Sequence, residues 1–291
     1  MLAAAAERPE SAPRPVVASV KDLVVHLRLD RSRARSLREY CVARLKRVRS
    51  GAERVEVLSG ISFEVERGGL LAVVGPNGAG KTTLVSQLTG VVLPDAGQVV
   101  FRSLDITRMP AYRRPHFGMA RSFQITSIIH DMTVLENVVL AVQAKAGHSY
   151  RFWESAIADD QLTEPAMRAL TQVGLEAEAM QIAGPLSHGE HRQLELAMVL
   201  ATDPVLIFLD EPTAGMGRED STRMVSMLES LKGSRTVILV EHDMDAVFAL
   251  ADRITVMVEG RAIATGTPDV IRADRSVREA YLGEDMNTAI K

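Results

Sequence analysis

Short apolar runs alternate with amphipathic stretches along this chain. Leu70 to Val74, Val205 to Asp210 and Thr236 to Glu241 are apolar along most of their length and too short for core helices, so they predict buried strands. Val16 to Leu29 and Val55 to Val65 alternate loosely and also predict strands, with a shorter one over Gln98 to Arg102 and another ending at Arg121-Ser-Phe-Gln124. From Thr133 to about Met180 the pattern is helix, loop, helix. Thr133-Val-Leu-Glu136 has capping-box spacing, and so do Ser187 and Glu190, which precede the apolar-periodic stretch Gln193 to Leu200. Ile254 to Val258 and Arg261 to Ala264, joined by Glu259-Gly260, predict a hairpin, and Pro268 to Gly283 short helices.

Composition adds limits. With 291 residues, 46% hydrophobic and 24% charged, the chain has room for a sizeable core, in one large domain or two small ones. A single cysteine, Cys41, excludes an internal disulfide framework and fits a reducing compartment. The first residues lack the basic and apolar regions of a signal peptide, and no apolar run is long enough to span a bilayer. The expectation is a protein of the cytosol, or of the cytosolic side of a membrane.

The net charge of −3 gives no support to general nucleic-acid binding. It is unevenly spread, because residues 21–54 hold eleven Lys/Arg against four Asp/Glu. Within them, Leu37, Tyr40, Cys41, Leu45 and Val48 share one helical face among arginines. Such a helix either lies near anionic headgroups or a membrane partner, or is a packed surface helix with a solvated face. Residues 1–15, rich in Ala, Pro and Arg, predict a disordered tail.

The chemistry starts after the first buried strand. Gly75-Pro76-Asn77-Gly78-Ala79-Gly80-Lys81-Thr82 satisfies G-x-x-x-x-G-K-[ST] between a strand and a helix, and Thr83 continues it. Glycines let backbone N–H groups crowd round a phosphate, and the helix start adds partial positive charge. Lys81 is placed for the β- and γ-phosphates and the Thr82 hydroxyl for Mg²⁺. The strand Val205 to Asp210 ends in two acids: Asp210 suits the Mg²⁺ shell, and Glu211 is placed as general base for an attacking water. Ser187, His188, Gly189 and Glu190 open a helix, which makes them either a simple cap or a second phosphate cradle. Two cradles for one γ-phosphate suit two chains arranged head to tail.

In order and spacing these residues resemble the ATP-binding-cassette (ABC) ATPases over about residues 16–283. Gly75 to Thr82 is similar to Walker A, Gln124 to the Q-loop glutamine and Leu186 to Glu190 to the signature motif. Asp210-Glu211 is similar to Walker B with its catalytic base, and His242 to the switch histidine. The resemblance implies an α/β fold: a P-loop NTPase (RecA-like) core with an antiparallel β subdomain and an α-helical subdomain at about 126–203. The ATPase domain would span 16–285, with a basic helical insertion at 28–54 and a tail at 286–291. It further implies ATP and Mg²⁺ as cofactors, Thr82, Gln124 and Asp210 toward the metal, and Glu211, His242 and Gln124 in catalysis.

Ala120-Arg-Ser-Phe-Gln124, Met132 to Asn137, Asp210 to Met216, Val240-Glu-His-Asp-Met244 and Glu279 to Gly283 are similar to the cassettes of branched-chain amino-acid importers. The Leu-Ser-His-Gly order is also similar to the urea and short-amide branch. The implied partners are a second ATPase subunit (identical or related), two transmembrane permease subunits and, indirectly, a periplasmic binding protein, with the chain peripheral on the inner membrane. A soluble ABC ATPase, an exporter cassette and a nucleotide-binding regulator without turnover are the alternatives. Three positions depart from the family pattern: His188 replaces the usual glycine, Ala214 to Gly217 lacks the usual Asp or Asn, and Leu27 stands near the expected adenine-stacking aromatic.

Overall fold

The computed structural model describes residues 14–29, 53–122, 128–146 and 159–281. The two tails, most of the expected basic insertion and Gln124 lie outside the described residues.

The core is a sheet buried on both faces. Strands β3 (Leu70–Val74), β7 (Leu206–Asp210) and β8 (Thr236–Val240) have no exposed position. They run parallel with β6 (Met119–Arg121) and β9 (Arg253–Val258), and β10 (Arg261–Gly266) closes one edge antiparallel, in the order β10-β9-β3-β8-β7-β6. Successive side chains of a strand point to opposite faces, so each apolar run feeds two cores. Leu70, Ala72 and Val74, with Ile207, Leu209, Val237 and Leu239, pack on one side. Leu71 and Val73, with Leu206, Phe208, Ile238 and Val240, pack on the other.

The second face is covered by helix α1 (Lys81–Leu88) and by an antiparallel sheet of order β2-β1-β4-β5. Its strands are β1 (Val16–Leu29), β2 (Glu53–Glu66), β4 (Ala96–Phe101) and β5 (Leu104–Asp105). The pairing of β1 with β2 reaches Leu29 opposite Glu53, so the ends of the 28–54 stretch belong to strands rather than to a helix. Cross-strand bonding decides those positions. Residues 30–52 connect the paired ends and lie outside the described residues.

The first face carries the helices α2 (Val134–Ala146), α3 (Asp160–Val173), α4 (His188–Ala201), α5 (Arg218–Leu231), α6 (Met244–Leu250), α7 (Pro268–Ala273) and α8 (Arg275–Tyr281). Both anticipated capping boxes form. Thr133 Oγ1 accepts the Glu136 N–H at 3.1 Å, and Glu136 Oε2 accepts the Thr133 N–H at 2.6 Å. At α4, Ser187 Oγ accepts the Glu190 N–H at 3.2 Å, and Glu190 Oε2 accepts the Ser187 N–H at 2.7 Å.

A 3₁₀ helix, Ala111–Phe117, was not legible in the hydrophobic pattern. Its Arg114 is 1% exposed and donates to the carbonyls of Gln87, Leu88, Ile106 and Met109. Burial pulls this guanidinium down to about 10. A cation at the C-terminal end of α1 satisfies carbonyls the helix cannot and opposes its dipole. Gly90 leaves room for it, since a Cβ there would stand 2.5 Å from Arg114 Nε.

Candidate nucleotide site

Gly75 to Gly80 join β3 to α1 beneath the β9–β10 turn. A Cβ on Gly75 would meet the Met257 carbonyl oxygen at 2.1 Å, and one on Gly80, whose φ is +99°, would meet Leu58 Cδ2 at 2.7 Å. Side chains are therefore excluded at both positions. Helix α1 starts at Gly80 with no side-chain cap and no acid in its first turn, while Pro76, Asn77 and Gly78 are exposed. An uncapped helix start leaves N–H donors and a positive dipole end for an anion.

Lys81 is 8% exposed, and its Nζ donates to Gly75 O at 2.6 Å and Pro76 O at 3.1 Å. Burial lowers its pKa, opposed by the charges of Glu211 and Asp210. A cation held by its own loop beside an uncapped helix start suits an anionic phosphate. Thr82 is exposed and Thr83 half-buried beside it.

Asp210 ends β7 and is 5% exposed, with Oδ2 at 3.3 Å from Arg121 Nη2. Glu211 follows with φ +50°, a left-handed backbone that non-glycine residues adopt rarely and at a cost. Two hydrogen bonds fix it: its N–H donates to Val240 O at 2.8 Å, and its carbonyl accepts from the Ala214 N–H at 3.1 Å. Strand β8 pairs with β7 so that Val240 lies opposite Asp210. That register brings His242 Nδ1 to 4.0 Å from Glu211 Oε1. His242 is the more exposed partner, its side chain 63% accessible against 37% for Glu211.

The segment Ser187 to Glu190 packs on its own chain. His188 Nε2 lies 3.4 Å from the Ala214 carbonyl oxygen, and Gly215 leaves space for the ring. A Cβ on Gly189 would stand 2.7 Å from the Asp220 carboxylate carbon. The Ser187 N–H and hydroxyl hold the Glu190 carboxyl below its ordinary pKa. Nothing can be placed for Gln124 or for the side chain of Leu27, which lie outside the described residues.

Sequence reasoning assigned no role to Arg121 or Glu241. Arg121 stands in the quoted stretch Ala120 to Gln124, but nothing local links it to Asp210. Glu241 directly precedes His242, an acid at the end of an apolar strand, and that placement was the available signal. Among the described residues no group of three or more His, Cys, Asp or Glu is built to hold a metal.

Comparison with known proteins agrees with this geometry. The ABC transporter family model matches residues 58–214, and that of the branched-chain amino acid ATP-binding cassette transporter matches residues 263–286. The high-affinity branched-chain amino acid transport ATP-binding protein LivG of Salmonella typhimurium is 33% identical over 234 residues, covering 78% of this chain and 92% of that protein. BraF of Pseudomonas aeruginosa, named for the same transport, is also 33% identical with the same coverage. A probable LivG of Archaeoglobus fulgidus is 34% identical over 79% of this chain and 90% of its own length. Among solved structures, a nucleotide-free ATP-binding cassette from an ABC transporter gives a TM-score of 0.75 at 27% identity, covering 93% of this chain and 100% of the other. The ADP conformation of the cassette MJ1267 gives 0.75 at 26% identity with the same coverage. The phosphate loop, the acid-ended strand and the capped helix are thus those of a nucleotide-binding module, and the chain belongs to the ABC transporter family as one of its ATP-hydrolysing cassettes.

Proposed function

We propose that this chain powers an importer of branched-chain amino acids or similar small polar molecules, working as a pair of ATPase subunits on two permease subunits at the cytoplasmic face of the inner membrane. The observation that carries the reading is the joint presence of a complete hydrolytic strand pair, with Glu211 beside His242, and relatives named as branched-chain amino acid transport ATP-binding proteins. No described helix is long and apolar enough to cross a membrane.

In this reading the N–H groups of Gly78 to Thr83 and the Lys81 ammonium bind the phosphates. Mg²⁺ fits the donors present, a hydroxyl from Thr82 and one buried carboxylate from Asp210, because this ion is usually held by one or two carboxylates plus substrate phosphates. When bound, the ion neutralises charge developing on the phosphate oxygens. Glu211 orients and deprotonates the attacking water, and His242 contacts the γ-phosphate. Gln124 links the site to the helices that follow. Ser187, His188, Gly189 and Glu190 of the second subunit close on the same nucleotide, presenting their helix start to its γ-phosphate. Catalysis is then chiefly positioning and electrostatics.

An apolar groove of about 420 Å³ supports the membrane coupling. Tyr112, Ala141, Ala144, Met198, Val199 and Phe208 line it, between the 3₁₀ helix, β6, α2 and α4. Tyr112 is 70% exposed at its edge. Such a groove suits the apolar face of a short permease helix.

The test is co-purification and reconstitution. The full chain, extracted in mild detergent, is expected to bring down two hydrophobic permease subunits. In liposomes the complex should accumulate leucine or a similar small polar solute only with ATP. A chain that leaves the membrane fraction alone, and whose turnover responds to ribosomes or DNA, would overturn the proposal.

A further inference from the structure

Glu241 is a fully buried carboxylate, 0% exposed, to which the functional reading above gives no task. Its Oε1 accepts the Thr213 N–H at 3.0 Å and also the Thr213 hydroxyl. Its Oε2 accepts the His242 N–H at 3.0 Å and stands 3.6 Å from His242 Nδ1. A buried charge is costly unless donors surround it, and apolar residues of similar size often serve stability as well or better. The donors here come from two loops only. One follows Glu211 by two residues, and the other begins at His242.

We propose that Glu241 is a positioning residue for ATP hydrolysis, a clamp that ties the loop after Glu211 to the loop carrying His242 so that both groups meet the nucleotide as one unit. The inference rests on the reading of Glu211 as general base and His242 as γ-phosphate contact. The backbone of Glu211 explains why a clamp is needed. At φ +50° it is strained, and a strained residue keeps its conformation only where its surroundings over-determine it. The Val240 carbonyl and the Ala214 N–H hold it from either side, and Glu241 fixes Thr213 between them. On the histidine side, the carboxylate holds the His242 backbone through its N–H and places a negative charge near Nδ1.

The two arms of the clamp can be cut separately. Glu241→Gln can keep an oxygen toward Thr213, but its amide nitrogen then faces the His242 N–H, two donors together. Thr213→Val removes the hydroxyl arm with little change of shape, while Thr213→Ser keeps that hydroxyl. With phosphate release by the full chain, Glu241→Gln and Thr213→Val are each expected to lower kcat by about 10- to 100-fold, the scale of a small misplacement of reacting groups. KM and nucleotide affinity should stay near parental values, and Thr213→Ser should restore most of the lost turnover. The double variant should lose less than the product of the two single losses, as expected for groups in one network.

Parental kcat in Glu241→Gln overturns the proposal. So does a loss expressed through KM alone, an equal loss in Thr213→Ser and Thr213→Val, or a loss accounted for by the unfolded fraction in thermal denaturation. Glu211→Gln separates the two levels. If it is inactive while Glu241→Gln is normal, the clamp alone fails; if it turns over at the parental rate, the underlying assignment of the base fails.

Discussion

His242 Nδ1 lies 4.0 Å from Glu211 Oε1, each side chain carried just beyond the end of one of two neighbouring parallel strands. Replacing the carboxylate by an amide keeps the shape and removes the proton acceptor. Glu211→Gln is therefore expected to slow phosphate release by about 10²- to 10⁴-fold while nucleotide binding persists. Single-turnover and equilibrium-binding measurements on one preparation check both halves.

Lys81 is buried against its own loop, so its loss removes charge-assisted bonds in a partly desolvated place. Hydrogen bonds to charged groups contribute about 1.5–3 kcal/mol, so Lys81→Ala should weaken ATP binding by roughly ten- to a hundredfold. Titration with a fluorescent nucleotide measures it. Pro76 O keeps the Ala79 N–H at 3.2 Å, and of the two loop carbonyls only that of the buried Gly75 loses its donor.

Arg114 makes a stability prediction far from the chemistry. Arg114→Met would leave the carbonyls of Leu88 and Met109 without their donor and take a second donor from Gln87 and Ile106, which keep the Gly90 and Met109 N–H groups, at a cost of about 3–5 kcal/mol. Lysine cannot replace a planar fork that reaches four carbonyls, so Arg114→Lys should recover only part of it. Chemical denaturation monitored by circular dichroism reads the difference.

The cap of α4 carries a pH dependence with a definite sign. The Ser187 donors lower the Glu190 pKa in the folded protein, so the carboxylate stabilises the fold fully above its ordinary value of 4.5. That contribution is lost as pH falls below 4.5 through the depressed folded value. The melting-temperature gap between the parent chain and Glu190→Ala should thus be constant near neutrality and shrink on acidification. Ser187→Ala, at the same cap, should cost about 1 kcal/mol at neutral pH.

What the linear chain disclosed depends on how far apart the interacting groups stand. The phosphate loop, both capping boxes and the acid-ended strand are contiguous, and each carries its physical reason within a few residues. The two-sided burial of β3, β7 and β8 was likewise written in their lack of alternation. Arg121, Arg114 and Glu241 were not readable in this way, because Asp210, Leu88 and Thr213, which they respectively meet, lie 89, 26 and 28 residues away in sequence. Their side chains look like ordinary surface charges until the sheet order is known. The 3₁₀ helix escaped for a local reason, since Pro115 inside it and its basic flank give no helical period. At the ends of the 28–54 stretch the alternation of Val16 to Leu29 and the basic composition point to different structures, and the β1–β2 ladder decides for the strand.

The ladder between β7 and β8 has a mechanical consequence. Hydrogen bonds from Leu206–Thr236 to Asp210–Val240 lock the register on which the acid and the imidazole ride. A swing of the helical layer cannot separate the strand ends that carry these two loops without tearing the central sheet. Any on–off control of turnover must then work by delivering or withdrawing what meets the pair from outside, rather than by dismantling the pair itself.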